Sequence, residues 1–169
     1  MVSPAVRISW EGWLVVVAVL VAGVVAAGLM AGLFAGFAYA VMPGLRGVAD
    51  RAFVDVMQRI NVAIVNWLFL ALFLGGLLVS GLGAALLWFG GGAGSGWSAA
   101  GFLLYLAMFV VTAAVNVPLN NELAAGEGAD PAALRARFEV RWVRWNLVRA
   151  FAATGSFGCL LAALVVEVL

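Results

Sequence analysis

Residues 12–41 read GWLVVVAVLVAGVVAAGLMAGLFAGFAYAV, and none of the residues in this stretch is charged. A helix needs about 20 apolar residues to cross a bilayer core of about 30 Å, so this stretch is long enough to span a membrane. The apolar region of a secretory signal peptide is only about 7–15 residues long, so a cleaved leader is a poor match. We therefore expect a membrane span that is retained in the protein.

Three further apolar stretches follow, at residues 60–89, 97–117 and 147–169. Hydrophobic residues make up 66% of the chain and charged residues 10%, and the mean hydropathy is +1.16. These values lie outside the usual composition of soluble domains. The sequence therefore predicts an all-α integral membrane protein, in which residues 1–169 form a single four-span domain folded as a four-helix bundle.

Tryptophan and arginine divide between the two sides of this bundle. Indole rings prefer the membrane–water interface, and the four spans place Trp67, Trp142 and Trp145 at one side and the other four tryptophans at the opposite side. The first side also holds seven of the eight arginines that lie outside the spans, whereas the second side holds only Arg7. By the positive-inside rule we expect the arginine-rich side to be cytoplasmic and both termini to be outside.

The composition also limits the kinds of functional site and partner that we expect for this chain. The chain has no histidine, which argues against haem, a three-histidine zinc site or a Ser-His-Asp triad. Cys159 is the only cysteine and lies in an apolar stretch, where a small buried side chain is the usual role. A net charge of +1 gives no indication of a nucleic-acid partner. We expect no metal and no nucleic acid.

The third apolar stretch ends in a polar segment, VNVPLNNELA, at residues 115–124. Thr112, Asn116 and Asn120 recur at i, i+4 and i+8, so they share one face of a helix. Pro118 lies within this patch, where its ring clashes with the carbonyl of Ala114 and kinks the helix. Irregular backbone at membrane depth is tolerated only where it faces protein or a wet cavity. The segment therefore predicts the wall of a pocket.

Two other helices bring polar groups to the same level. Trp142, Asn146 and Arg149 share a face of the fourth helix, and Gln58 and Asn61 lie at i and i+3 at the start of the second. A charge inside an apolar run, as at Arg149, costs about 2.5–3.5 kcal/mol on insertion scales. This convergence predicts a polar pocket on the cytoplasmic side of the bundle.

Simpler explanations remain for the single residues. Asn66 and Thr112 are also explained as interhelical hydrogen-bond partners, and arginines near a span end as side chains that extend to the head groups. Glycine at positions 28, 32 and 36 gives the first span a smooth face, which suits either packing within the bundle or association with a second copy.

Four segments resemble the anthrone oxygenase-like family of small four-span membrane proteins, over residues 26–153. They are MAGLFAGFAYAVMPGL (30–45), FVDVMQRINVAIVN (53–66), VNVPLNNEL (115–123) and RWVRWNLVR (141–149). Characterised fungal members of the family oxidise anthrones, which are tricyclic phenols, to anthraquinones with O₂ and no known metal or flavin. Most bacterial members have no assigned function. The resemblance implies a cofactor-independent oxygenase, in a bacterial inner membrane, acting on a flat lipophilic phenol.

Residue roles for such a reaction come from this sequence. We expect Glu122 to be the base, and Arg149 and Arg144 to stabilise the oxyanion. Residues expected to orient or stack on the ligand are Asn61, Asn116, Asn120, Asn121, Asn146, Trp145, Phe34, Phe37 and Tyr39. Two alternatives without catalysis stay open: a module that binds or transports a small molecule, and a membrane assembly protein.

Overall fold

The structure, a computed structural model, describes residues 10–126 and 129–169, and Arg7 lies outside them. The described residues are helical and contain no strand. The helices are α1 (Trp10–Leu45), α2 (Asp50–Ala63), α3 (Trp67–Gly90), α4 (Ser95–Ala125) and α5 (Pro131–Val168). All except α2 are long and apolar enough to cross a membrane. The all-α, four-span architecture predicted from the sequence is confirmed.

The second span begins at Trp67 and not near residue 60 as expected. Residues before it form the separate helix α2, which is amphipathic, with Phe53, Val54 and Met57 buried on one face. The helical conformation is interrupted before α3. Asn66 has an extended backbone there, and its side-chain oxygen accepts a hydrogen bond from the Phe69 amide (3.1 Å). Asn66 is thus a helix cap, and the expected interhelical role for it is wrong.

The other spans are embedded in longer helices than the apolar stretches suggested. The helix that contains residues 97–117 runs over Ser95–Ala125, and the one that contains residues 147–169 begins at Pro131. Asp130 caps that helix, because its carboxylate accepts hydrogen bonds from the amides of Ala132 and Ala133. The helices of the third and fourth spans therefore continue for several polar turns beyond their apolar stretches.

In the bundle, α1 and α4 each pack against both α3 and α5. Helix α2 lies at one end, against the last turns of α4 and the first turns of α5. Arg135 of α5 fixes this arrangement, since its guanidinium donates to the carbonyls of Leu45 and Val48 and to the carboxylate of Asp50 (3.0 Å). The connection between α1 and α2 is thereby held against α5.

Both α1 and α4 contain a π-helical turn, at Phe37–Val41 and Thr112–Asn116. A proline follows each turn after one intervening residue, Pro43 in α1 and Pro118 in α4. Proline has no N–H and clashes with the carbonyl four residues earlier, and a wider turn accommodates that break. The distortion predicted at Pro118 is therefore accompanied by a second one, in α1, which we did not predict.

The end of the bundle away from α2 is closely packed through small residues, and we call it the packed half. A Cβ atom on Gly101 would lie 2.7 Å from Leu160 Cγ, and one on Gly94 would lie 2.7 Å from the Ala163 carbonyl oxygen. The Gly94 amide also donates to the Glu167 carboxylate (2.6 Å). These contacts leave the helices in direct apposition.

The glycine face of α1 has two environments. A Cβ atom on Gly28 would lie 3.1 Å from the ring of Phe157, so this position packs within the bundle, whereas Gly32 and Gly36 have no atom that near. Association with a second copy stays a prediction.

Candidate functional site

A cavity lies at the α2 end of the bundle, which we call the cavity half. The centre of a water molecule can occupy about 270 Å³ of it, and each of the five helices contributes to its wall. Its aromatic wall consists of Phe34, Phe37, Phe69, Phe73 and Trp142, and its polar lining residues are Asn61, Thr112, Asn120 and Arg149. The space is therefore mainly aromatic, with a few polar groups that differ in kind.

Arg149 is the central group of this cavity, although its residue is only 7% exposed. Its guanidinium carbon lies 4.2 Å from the centre of the Phe34 ring and 5.1 Å from that of the Trp142 ring. Cation–π contacts of this kind stabilise a desolvated cation by about 1–2 kcal/mol. The charge is thus held between two aromatic faces.

The same guanidinium has no ion-pair partner among residues 10–126 and 129–169. Its Nε donates to Asn146 Oδ1 (3.1 Å), and within that described part of the chain Nη1 and Nη2 donate to no group. A buried charge normally has a partner, because its hydration is lost. An unpaired guanidinium beside a cavity is therefore suited to bind an anionic or electron-rich oxygen.

Asn146 holds this arginine in place. Its Oδ1 accepts from Arg149 Nε, and its Nδ2 donates to the carbonyl oxygen of Phe34 (3.0 Å). That carbonyl lies in the last α-helical turn before the π-helical turn of α1. Asn146 is fully buried and thus ties Arg149 to the backbone that carries one of its stacking rings.

Two asparagines of α4 hold the other ring. The indole Nε1 of Trp142 donates to Asn120 Oδ1 (2.9 Å), and Asn116 Nδ2 makes a longer contact with the Trp142 carbonyl (3.5 Å). Asn116 is fully buried and does not line the cavity, whereas Asn120 does. The asparagine patch predicted on α4 therefore acts largely through Trp142.

The cavity has an apolar rim on the outside of the bundle. Val65, Leu70 and Val117 line it and are 62%, 40% and 43% exposed. They lie where the start of α3 approaches the part of α4 that follows its π-helical turn. A lipophilic molecule has an apolar opening there that lies beside the spans.

Several residues that we expected in the site lie elsewhere. The Glu122 side chain is 62% exposed, and its carboxylate lies 3.7 Å from Arg141 Nη1. A helix turns by about 100° per residue, which places Glu122 about 200° from Asn120, on the opposite face. Glu122 is thus separated from the cavity, and no Asp or Glu is among the residues that line it.

Arg144 is also exposed, about 140° around α5 from Arg149. Trp145 and Tyr39 are 40% and 76% exposed and do not line the cavity. Asn121 is exposed and lies in a neighbouring groove. The structure therefore brings together Asn61, Asn120, Arg149, Phe34 and Phe37, with Asn116 and Asn146 behind them.

Sequence analysis missed two aromatic residues of the wall, Phe69 and Phe73. Their rings are stacked at 5.3 Å, and Phe73 stacks in turn on Phe109 at 4.7 Å. The i, i+4 spacing of the two phenylalanines shows that they share a face of α3, but it does not show what that face packs against.

A family model described as Anthrone oxygenase matches residues 57–159, which is more than half of the chain. The matched range contains Asn61, Asn120, Trp142 and Arg149, whereas the α1 residues Phe34 and Phe37 precede it. Comparisons with curated proteins and with solved structures found no match.

Proposed function

Because the chain belongs to the anthrone oxygenase family, we propose that it is a membrane-embedded oxygenase of a flat, lipophilic phenol such as an anthrone. It uses O₂ and needs no bound cofactor. The observation that carries this proposal is the unpaired guanidinium of Arg149, held between two rings on the wall of an aromatic cavity.

The shape and lining of the cavity support a planar ligand. Aromatic side chains on several helices offer ring faces and edges to a fused ring system. A volume of about 270 Å³ is close to the lower end of the roughly 300–1,000 Å³ typical of ligand pockets, which suits a few fused rings. The apolar rim at Val65, Leu70 and Val117 lets such a ligand arrive from the lipid.

Arg149 stabilises the negative charge that develops on the ligand during the reaction. An anthrone carries an acidic CH₂ group between two rings, and loss of one proton leaves an enolate whose charge resides largely on oxygen. A cation within hydrogen-bond reach of that oxygen stabilises the enolate and lowers the pKa of the ligand. Since no carboxylate lines the cavity, the proton passes to water and Glu122 has no part in the step.

The enolate carbon then reduces O₂. A new C–O bond forms, the resulting peroxide takes up a proton, and cleavage of its O–O bond with loss of the remaining carbon-bound hydrogen gives the ketone and water. The net reaction is R₂CH₂ + O₂ → R₂C=O + H₂O, which needs no other oxidant or reductant. The protein binds the ligand, stabilises its anion and admits O₂ to an apolar space.

The remaining residues act by position. Asn146 aims Arg149, and Asn120 and Asn116 hold Trp142, so each is a positioning residue rather than a catalytic one. We further propose that the cavity half faces the cytoplasm of a bacterial cell and that both termini are outside. Arginines at positions 46, 51, 59, 135, 137, 141 and 144 all belong to this end, in keeping with the positive-inside rule.

The test is O₂ uptake by the purified full-length protein in detergent with an anthrone as substrate. We expect uptake above the spontaneous oxidation of the anthrone, with one anthraquinone formed for each O₂ consumed. Arg149→Met abolishes the excess, whereas Arg149→Lys retains part of it because the charge is kept. Ligand-dependent thermal stabilisation with no product from a broad panel of anthrones and hydroquinones would instead indicate a binding module.

A further inference from the structure

We propose that the ligand carries a neutral polar arm, which leaves the aromatic cavity between Asn61 and Asn120 and lies in an adjoining groove. The arm is a hydroxyl, carbonyl or ester group attached to the ring system. The inference rests on the proposed function, since it assumes that the ring system of the ligand occupies the cavity beside Arg149.

The groove adjoins the cavity. It has a volume of about 360 Å³. Asn61, Val65, Val117 and Asn120 line both spaces, so the passage that the proposal requires lies between these residues. A ligand confined to the cavity would leave this second space empty.

Two amide donors at the passage are without protein acceptors. Asn61 Nδ2 is buried and has no hydrogen-bond partner among the residues that the structure describes. Asn120 uses its Oδ1 to accept from the indole of Trp142, which fixes the orientation of its amide. Asn120 Nδ2 then has no acceptor within residues 10–126 and 129–169. A buried donor without an acceptor destabilises a protein, so an acceptor oxygen of the ligand is expected at Asn61 Nδ2, with Asn120 Nδ2 as a second donor beside it.

The lining of the groove selects a neutral arm. Its residues are Gln58, Val62, Asn121, Ala124 and the four that it shares with the cavity, and none of them is charged. Gln58 Nε2 donates to the Leu123 carbonyl (2.9 Å), which leaves Gln58 Oε1 as an acceptor. A hydroxyl group can both donate and accept here, whereas a carboxylate would lose hydration without gaining an opposite charge.

Three anthraquinones that share one dihydroxylated ring system test the proposal. Chrysophanol carries a methyl group, aloe-emodin a hydroxymethyl group and rhein a carboxylate at the same ring position. Their dissociation constants are measured by quenching of tryptophan fluorescence, with the full-length protein in one detergent. We expect aloe-emodin to bind about twofold to tenfold more tightly than chrysophanol, the usual effect of one hydrogen bond, and rhein to bind no more tightly than chrysophanol.

The decisive quantity is the change in this preference between variants, because partition of each compound into detergent is then the same. Asn61→Leu should reduce the ratio of the two dissociation constants to about one, while chrysophanol still binds. Asn66→Ser is the matched control, since it removes a nearby amide outside the cavity and keeps an oxygen for the helix cap. In that variant the preference for aloe-emodin is retained.

Two results would overturn the proposal of a polar arm, and a third would overturn the proposed function as well. If aloe-emodin and chrysophanol bind wild type equally, or if the preference survives in Asn61→Leu, the groove is not a subsite, although the cavity remains one. If none of the three compounds binds, both the arm and the proposed function fail. Loss of chrysophanol binding in Arg149→Met identifies the cavity as the place where the ring system lies.

Discussion

The two halves of the bundle are made by the same helices and differ in how closely those helices approach. In the packed half, glycine, alanine and serine let α4 and α5 meet without intervening space, as at Gly101 and Leu160. In the cavity half, aromatic side chains and the two π-helical turns stand between the helices, and a void remains. The helices α4 and α5 are therefore in direct contact at one end of the bundle, and the helices enclose a cavity at the other end.

This difference shows where stability and function separate. Interhelical contact in a membrane depends on close van der Waals packing, which the small residues of the packed half provide. The cavity half contains an unpaired cation and unpartnered amide atoms on Asn61 and Asn116, all of which are unfavourable without a ligand, whereas Ser98 Oγ is the one buried side-chain atom without a partner in the described part of the packed half. We expect substitutions in the packed half to change stability and substitutions in the cavity half to change activity.

The largest effect is expected at Arg149. Arg149→Met should lower kcat/KM for anthrone oxidation by about 100-fold to 1,000-fold, as for the loss of one oxyanion-stabilising donor. Its apparent Tm should change little, because the lost cation–π contacts are offset by removal of a buried charge. Arg144→Met, on the exposed face of the same helix, is the control and should retain activity. An equal loss of activity in both variants would show that the effect does not depend on the cavity half.

The next effect is expected in the packed half. Gly101→Ala places a Cβ atom 2.7 Å from Leu160 Cγ and 3.2 Å from the Leu160 backbone nitrogen, so the helices must separate. Overpacking of this kind costs about 1–3 kcal/mol, and the apparent Tm in detergent should fall. Gly36→Ala has no atom within 4 Å and should leave the apparent Tm unchanged or raise it. A similar fall of the apparent Tm in both variants would show that stability does not depend specifically on the packed half.

A smaller effect is expected at the rim of the cavity. Val117→Phe adds volume where space exists, so the protein should be as stable as wild type or more so. The same ring narrows the opening and displaces the ligand, which should reduce kcat/KM by about tenfold. Thermal unfolding and O₂ uptake measured on one preparation separate the two effects. Reduced stability with full activity is the outcome that contradicts the assignment of the rim.

The smallest effect is expected at Glu122. Its carboxylate is exposed and paired with Arg141, and exposed pairs stabilise by only about 0–1 kcal/mol. Glu122→Gln should therefore change kcat/KM by less than about twofold across the pH range of the assay. A large loss, with a pH profile that loses its acidic limb, would restore Glu122 as the base and would require the cavity assignment to be abandoned.

The sequence was sufficient for the fold because long uncharged stretches have few alternatives in a bilayer. It also placed Arg149 and Asn120 at one level of the bundle, where both line the cavity, since a charge and a proline inside apolar runs are conspicuous. It was insufficient for Glu122, because proximity along the chain to Asn120 does not indicate which side of a helix a residue occupies.

The break between α2 and α3 was missed for another reason. Residues 62–65 are all apolar and lead directly into Asn66 and the apolar stretch after it, so composition alone joins two helices that Asn66 separates. Phe69 and Phe73 were missed because apolar side chains look the same in sequence whether they face lipid, a neighbouring helix or a void. Such residues are assigned only when the packing of the helices is known.

If Arg149 binds an aromatic oxyanion inside the cavity, the absorption spectrum of a bound hydroxyanthraquinone reports the charge of that ligand. The titration is done at a pH below the pKa of the free ligand, where its phenol is neutral in detergent. With wild-type protein we expect the red-shifted spectrum of the phenolate, and with Arg149→Met the spectrum of the neutral form. Neutral ligand bound with equal affinity to both proteins would show that Arg149 does not bind an oxyanion.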